Sequence, residues 1–284
     1  MEDEKIQSDV LDATLSVRVD RFEGDRPNPR TDSVAREEPL EIQLGSTSLA
    51  VVMRTPGHDD ELALGFLVTE RVVSHVEQVM MLRHSNTASG PRSDGNVMRV
   101  LLAPEVEVDL DALRRNLYAS SSCGICGKAT IENALSGVEP LNDRARFSAE
   151  YFYSLPSELE KAQRVFERTG GVHAAGIFDG EGRLLVVRED VGRHNAVDKV
   201  IGWALREGRI PLAGCVLMVS GRVSFEVVQK ALVARLPVVA AVSAPSSLAV
   251  EFAEDAGLTL VGFLRKRGLN VYGNTSRIAA PSHS

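Results

Sequence analysis

The sequence predicts an α/β protein: a three-layer αβα mixed sheet preceded by a smaller N-terminal α+β subdomain. Three observations carry this reading. From about Gly171 onward, short apolar runs alternate with helix-period segments, the pattern of strands covered by helices on both faces. That region opens with VHAAGIFD and LLVVRED, joined by a Gly180-Glu181-Gly182 turn that predicts an antiparallel hairpin. Upstream, the strand-like runs PLEIQL and SLAVVMRT flank Gly45 and Ser46 and lead into a single helical segment.

Taken in order, residues 1–14 are polar and aperiodic and are expected to form a disordered lead-in to a subdomain over 15–118. Within it, Pro56 and Gly57 end a strand, and Asp59, Asp60 and Glu61 suit the positive end of a helix dipole. The polar loop SNTASGPRSDGN precedes a strand at VMRVLLA, and LDALRRNLYA reads as a short helix. Residues 119–136 read as a mobile cysteine-bearing loop followed by helix, 137–273 as the α/β core and 274–284 as a tail. After the hairpin, the core alternates RHNAVDKVIGWALREG, GCVLMVS, FEVVQKALVARL, PVVAAVS, SSLAVEFAEDAG and LTLVGFLR. That makes five strands, the first antiparallel to the others, which is the layout of a cytidine deaminase-like fold. Ligands of such sheets sit beyond the carboxyl ends of the strands.

With 284 residues and 44% hydrophobic content, the chain can bury a substantial core. No run approaches the ~18 apolar residues of a membrane span, and the opening MEDEKIQSDV lacks the apolar stretch of a signal peptide. Three cysteines are too few for a disulfide framework and point to a reducing, cytoplasmic setting. A net charge of −7 argues against a nucleic-acid partner, which needs a basic face.

Two of the three cysteines lie in SSSCGICGKAT, as Cys123 and Cys126. The spacing could supply half of a structural zinc site, but no second Cys-x-x-Cys exists and only scattered histidines could complete it. A thioredoxin-type pair should open a helix directly after a strand, whereas this one lies between two helical segments. Buried structural thiols would not choose three serines and two glycines as neighbours. The remaining reading is an exposed thiol loop. A helix start and Lys128 both favour thiolate, which can take the outer sulfur of a persulfide, with the second cysteine resolving or sharing it.

A zinc deaminase would need His- or Cys-x-Glu and Pro-Cys-x-x-Cys segments at neighbouring helix starts. The corresponding segments, DVGRHNAVDK and SGRVSFEVV, contain no cysteine, and Cys215 falls in an apolar run, so no catalytic zinc and no metal site is expected. Those segments offer Arg193, His194, Lys199 and Arg222 at or near helix starts, where cations and backbone donors favour anions. Each could instead be a solvated charge or a cap, and Asp190 and Asp198 could pair with them.

With these pieces assembled, the chain resembles the FdhD (NarQ) family of formate dehydrogenase accessory proteins from about Glu38 to Gly273. The segments that carry the resemblance include EEPLEIQL, MRTPGHDDELALGFLVTE, SCGICGKA, TGGVHAAGIF, REDVGRHNAVDKVIGWAL, SGRVSFEVVQKA and SAPSSLAVEFAEDAGLTLVGF. His58 departs from the acidic residue expected there. The resemblance implies a sulfur carrier, sulfurtransferase-like in its chemistry, that takes sulfur from a cysteine desulfurase and delivers it to a molybdenum cofactor destined for formate dehydrogenase. That cofactor, Mo-bis(molybdopterin guanine dinucleotide), contains guanine nucleotides and would be a bound client. By the same resemblance Cys123 is the persulfide carrier, Cys126 a second functional cysteine, and Phe263, Leu264, Arg265, Lys266, Arg267 and Gly268 the cofactor-binding stretch; a homodimer is also implied. The competing functions are a Cys-x-x-Cys thiol-disulfide oxidoreductase and a cofactor-binding chaperone without sulfur chemistry.

Overall fold

The computed structural model describes residues 10–85, 95–110, 113 and 139–279. The segment over 119–136, with Cys123, Cys126 and Lys128, lies outside the described residues.

The described chain begins with an antiparallel ribbon, β1 (Thr14–Glu23) and β2 (Arg26–Ala35), which form a two-stranded sheet of their own among the described residues. The next strands, β3 (Glu38–Leu44) and β4 (Thr47–Arg54), form the expected hairpin across Gly45, whose φ of 60° suits a residue without a Cβ. Helix α1 (Asp59–Thr69) follows, then β5 (Val79–His84) and β6 (Val97–Leu102). These strands form a four-stranded sheet in the order β4-β3-β6-β5. Alternation along β3 sends Leu40 and Ile42 into the core.

The larger sheet is six-stranded. Preceded by the short β7 (Phe147–Ser148) and helices α2 (Ala149–Ala162) and α3 (Arg164–Thr169), it contains β8 (His173–Phe178), β9 (Leu184–Asp190), β10 (Val216–Val219), β11 (Val238–Ala241), β12 (Thr259–Arg265) and β13 (Gly268–Gly273). The order is β13-β12-β11-β10-β8-β9. Strands β10, β11 and β12 are parallel, β8 is antiparallel to both its neighbours, and β13 is antiparallel to β12. Successive residues serve opposite faces. Ala174, Phe178, Met218 and Ala240 meet Phe152, Leu155 and Leu159 of α2. On the other face, Ala175, Ile177, Leu217, Val239 and Ala241 join the apolar faces of α4 (Arg193–Arg206), α5 (Phe225–Val233) and α6 (Ser247–Asp255). Layers of helix, sheet and helix result.

Several elements differ from expectation. The ribbon β1–β2, strand β5, strand β13 and helix α2 were not foreseen, so the large sheet has six strands and not five. Residues 10–14, assigned to a disordered lead-in, are ordered: Val10 and Ala13 pack against Val165 and Val172. The residues assigned to a tail are in part held as well. β14 (Ile278–Ala279) pairs with β7, and the buried Arg277 donates to the carbonyls of Gly257 and Asp143.

Helix α1 is buried on nearly every side, since it sits between the smaller sheet and α4. The small and large units therefore share one continuous apolar cluster, with Leu40 and Ile42 at one end and Val239 and Ala241 at the other. At the crossing of α1 and α4, a Cβ on Gly65 would overlap the carbonyl oxygen of Asp198, and one on Gly202 would overlap that of Glu61. Only hydrogen fits at either position. Gly202→Ala is expected to lower the free energy of unfolding by about 3 kcal/mol, measured by urea denaturation. A variant as stable as the parent would show that the two backbones are not held in contact.

Candidate functional site

Because β9 to β12 run in one direction, their carboxyl ends share one edge of the large sheet, and the antiparallel β8 brings its amino end there too. The edge collects Asp190 from β9, His173 from β8, Ser220, Gly221 and Arg222 after β10, and Arg265 at the end of β12. Helices α4 and α5 begin beside it. Their N-cap residues, Gly192 and Ser224, make no side-chain capping bond, unlike Ser246, whose Oγ accepts from the Ala249 amide at the start of α6. The first turn of α4 therefore keeps amide donors for which no N-cap side chain competes, whereas in α5 the Glu226 carboxylate accepts from its own amide.

Charge at this edge is divided by burial. The carboxylate of Asp190 is fully buried and pairs with Lys199 Nζ at 2.7 Å. It also accepts from the amides of Thr55 and Gly192 and from Asn195 Nδ2. Lys199 is spent on that pair and on the Thr55 carbonyl, so it is a structural lysine and not an anion contact. Asp198 likewise takes Lys230 at 2.7 and 2.8 Å and the Thr69 hydroxyl at 2.9 Å. Neither aspartate forms an ion pair with Arg193 or Arg222; the carboxylate within electrostatic reach of Arg193 is Glu226.

Arg193 and His173 flank the Gly221 backbone. A Cβ on Gly221 would lie 3.3 Å from His173 Nδ1 and 3.9 Å from Arg193 Cβ. The Nε of Arg193 is buried and has no hydrogen-bond partner among the described residues. Arg222 is exposed. Burial holds the His173 imidazole below its ordinary pKa, and the positive charges of Arg193 and Arg222 push it the same way against the weaker pull of Asp190. An orphaned guanidinium nitrogen, a second guanidinium and small residues at Ser220 and Gly221 fit an anion such as a phosphate.

His194 lies at the same edge with a different character. Its Nε2 is 3.1 Å from Ser224 Oγ, and its pKa is lowered to about 4 by burial and by the charges of Lys230 and Arg193, with Glu226 opposing. It is neutral near pH 7 and can serve an anion only as a hydrogen-bond donor.

The Phe263–Gly268 stretch forms the end of β12 and the turn into β13, with a register shift between Gly262 and Arg265. Phe263 has a φ of 53° and an exposed ring, while its amide donates to the Ser243 carbonyl. The Leu264 side chain is fully buried in the core, so it packs and faces no ligand. Arg265 Nη1 donates to the carbonyls of Val242 and Leu264, which fixes the guanidinium at the edge. Lys266, Arg267 and Gly268 are exposed in the turn. The carboxyl edge of the large sheet thus carries Arg193 and His194 at the start of α4, Arg222 in the loop after β10, and the Phe263–Gly268 turn beyond β12, with β11 between β10 and β12.

His173, Ser220 and Gly221 were missed as site residues. Antiparallel pairing of β8 with β10 was the signal for His173, since it puts the start of one strand beside the end of the other. Cys215 lies one residue before β10 and not inside it. Its thiol is raised above the ordinary range by burial and by Asp179, which disfavours thiolate. Among the described residues no group of three or more His, Cys, Asp or Glu is placed to hold a metal ion, and no helix is long and apolar enough to cross a membrane.

The depressed His194 pKa has a stability consequence. Between about 4 in the folded chain and 6.5 in the unfolded chain, the unfolded state binds the extra proton. Its contribution is complete above pH 6.5 and is lost as pH falls toward 4. In urea denaturation at pH 5 and pH 7, His194→Gln should reduce the parent's loss of stability at the lower pH. An identical pH dependence in both proteins would show that His194 is not held neutral.

A family model described as the FdhD/NarQ family matches residues 35–279. Proteins named sulfur carrier protein FdhD are similar over almost the whole chain. The one from Mycobacterium tuberculosis is 50% identical over 273 residues, covering 94% of this chain and 99% of its own length. The one from Streptomyces avermitilis is 49% identical over 269 residues, covering 92% and 94%. A crystal structure of a putative formate dehydrogenase accessory protein from Desulfotalea psychrophila superposes with a TM-score of 0.73 at 24% identity, covering 94% of this chain and all of that one. The fold is shared with that protein.

Proposed function

This chain belongs to the FdhD/NarQ family, and from that premise we propose that it is a sulfur carrier serving formate dehydrogenase through the molybdenum cofactor. The observation that carries the reading is a Cys-x-x-Cys pair in a chain half identical to named sulfur carriers. In the first step the Cys123 thiolate attacks the outer sulfur of a cysteine desulfurase persulfide. A bond forms from Cys123 Sγ to that sulfur, the donor's S–S bond breaks, and the donor cysteine leaves as thiolate. In the second, the Cys126 thiolate attacks Cys123 Sγ, forming a Cys123–Cys126 disulfide and releasing hydrosulfide toward the cofactor. The two cysteines supply both electrons.

The cationic edge supports the other half of the reading, in which the client is Mo-bis(molybdopterin guanine dinucleotide). Its pyrophosphates call for guanidinium groups and small-residue backbone, and Arg193, Gly221, Arg222 and Arg265 supply them. The cytidine deaminase-like layout belongs to the same proposal. Its usual ligand position would then be reused for a nucleotide, since the segments starting α4 and α5 carry no cysteine for zinc. A homodimer completes the reading.

Incubated with a desulfurase and cysteine, the parent protein should gain labile sulfur by mass, and Cys123→Ala should gain none while remaining folded. Full formate dehydrogenase activation by Cys123→Ala would refute the carrier role. Arg222→Ala removes a charge-assisted phosphate contact at an exposed position, which should cost about 1.5–3 kcal/mol of binding to guanosine diphosphate in calorimetry. That is roughly ten- to a hundredfold in affinity. Sulfur loading on Cys123 should be unaffected, and unchanged nucleotide affinity would move the client elsewhere on the molecule.

A further inference from the structure

The β1–β2 ribbon has no part in the sites assigned above. The family match begins at residue 35, where β2 ends, so the ribbon is an addition to the shared fold. Among the described residues its apolar anchorage lies at the base, where Val10, Ala13 and Ala35 pack with Val165 and Val172. Each strand is 10 residues long, and beyond the base Leu15, Phe22 and Val34 are exposed. A two-stranded ribbon is marginal in water and gains stability from further strands.

Two observations fix which way its backbone groups point. The Arg36 amide donates to the Ala13 carbonyl, which extends the ribbon's register by one pair, so odd-numbered residues of β1 bond inward to β2. Pro29 and Pro27 stand opposite Asp20 and Phe22, and a proline has no N–H to give to a ladder. Even-numbered residues of β1 therefore turn their N–H and C=O groups away from β2. On the far side the two prolines blunt the outer edge of β2. The outer edge of β1, from Ser16 to Phe22, keeps every donor and acceptor, and among the described residues no other strand pairs with it.

We propose that this edge pairs with the same edge of a second copy of the chain, antiparallel about a two-fold axis at Val19. Charge selects the register. Arg18 and Asp20 are exposed and have no ion-pair partner among the described residues. In this register Arg18 lies opposite the partner's Asp20, and Asp20 opposite the partner's Arg18. Sliding by two residues, the smallest step that keeps both bonding edges facing, sets either Arg18 or Asp20 opposite its own counterpart, and like charges directly opposite repel. Sliding by four sets Arg21 opposite itself in one direction. In the other it brings Asp20 against Thr14, which is buried at the base. At the axis Val19 meets its counterpart in a non-hydrogen-bonded pair, where side chains approach most closely, with Val17 on the same face. The product is a four-stranded antiparallel sheet across two molecules, an isologous contact that closes on itself. The inference rests on the homodimer of the proposed function and on none of its sulfur chemistry.

Sedimentation velocity on the full chain over a concentration series tests it. The parent should associate. Arg18→Asp and Asp20→Arg should each raise the dissociation constant about tenfold, because two like-charged pairs replace two opposite ones. The double exchange, Arg18→Asp with Asp20→Arg, restores opposite charges and should return the parent's affinity, a recovery that misfolding of the single variants would not give. A parent that stays monomeric at every concentration overturns this inference and the homodimer together. A dimer indifferent to both single reversals overturns this inference alone and places the interface elsewhere. Weakening that the double exchange fails to reverse also overturns it, since the charges would then not face one another.

Discussion

The structure turns on the contact between α1 and α4, where Gly65 and Gly202 let two backbones touch. Around that crossing lie carboxylates that would be intolerable without partners. Glu61 is fully buried on α1 and is held by Arg188 of β9 and Arg206 of α4. Asp198 on α4 answers Lys230 on α5 and Thr69 on α1. Removing one member of such a pair leaves an unpaired buried charge, which typically costs 3–5 kcal/mol. The ion pairs therefore fix how α1 seats on the large sheet, while the apolar contacts supply most of the attraction. The N-terminal unit is locked to the core and not merely appended to it.

This locking reaches the candidate site through Asp190. The Thr55 amide, just upstream of α1, donates to that carboxylate, and the Gly192 amide at the start of α4 does the same. The start of α4 is held in place by residues that neutralise each other. Arg193 and Arg222 sit one step further out, where Asp190 does not pair with them and Glu226 is within electrostatic reach of Arg193. Paired charge thus serves architecture at this edge.

Much of this could be read from the residues. Apolar runs four to seven residues long, separated by helix-period segments, marked β8 to β12 and α4 to α6 correctly, because strands covered on both faces must be apolar throughout. Helix α2 escaped notice because Pro156 interrupts a segment whose Phe152, Leu155 and Leu159 otherwise keep helical spacing. The ribbon β1–β2 is mostly exposed, with Pro27 and Pro29 in one strand, so hydrophobic alternation could not reveal it. At the site, the residue types of Arg193, His194 and Arg222 pointed to anions, and their placement on one edge follows from strand direction. The neutrality of His194 and the diversion of Lys199 to Asp190 depend on burial and on partners from distant segments, which spacing does not encode.

The partners of Glu61 have a consequence for the chain while it is being made. Arg188 follows Glu61 by 127 residues and Arg206 by 145. At ribosomal speeds of about 5–20 residues per second, the shorter interval is roughly 6–25 s. For that time α1 exists with one apolar flank and one carboxylate awaiting strands and a helix not yet synthesised. Long-range pairing of this kind delays folding and lengthens the exposure of apolar surface. The same contact that makes the finished protein a single unit leaves its nascent N-terminal portion dependent on protection from association until α4 emerges.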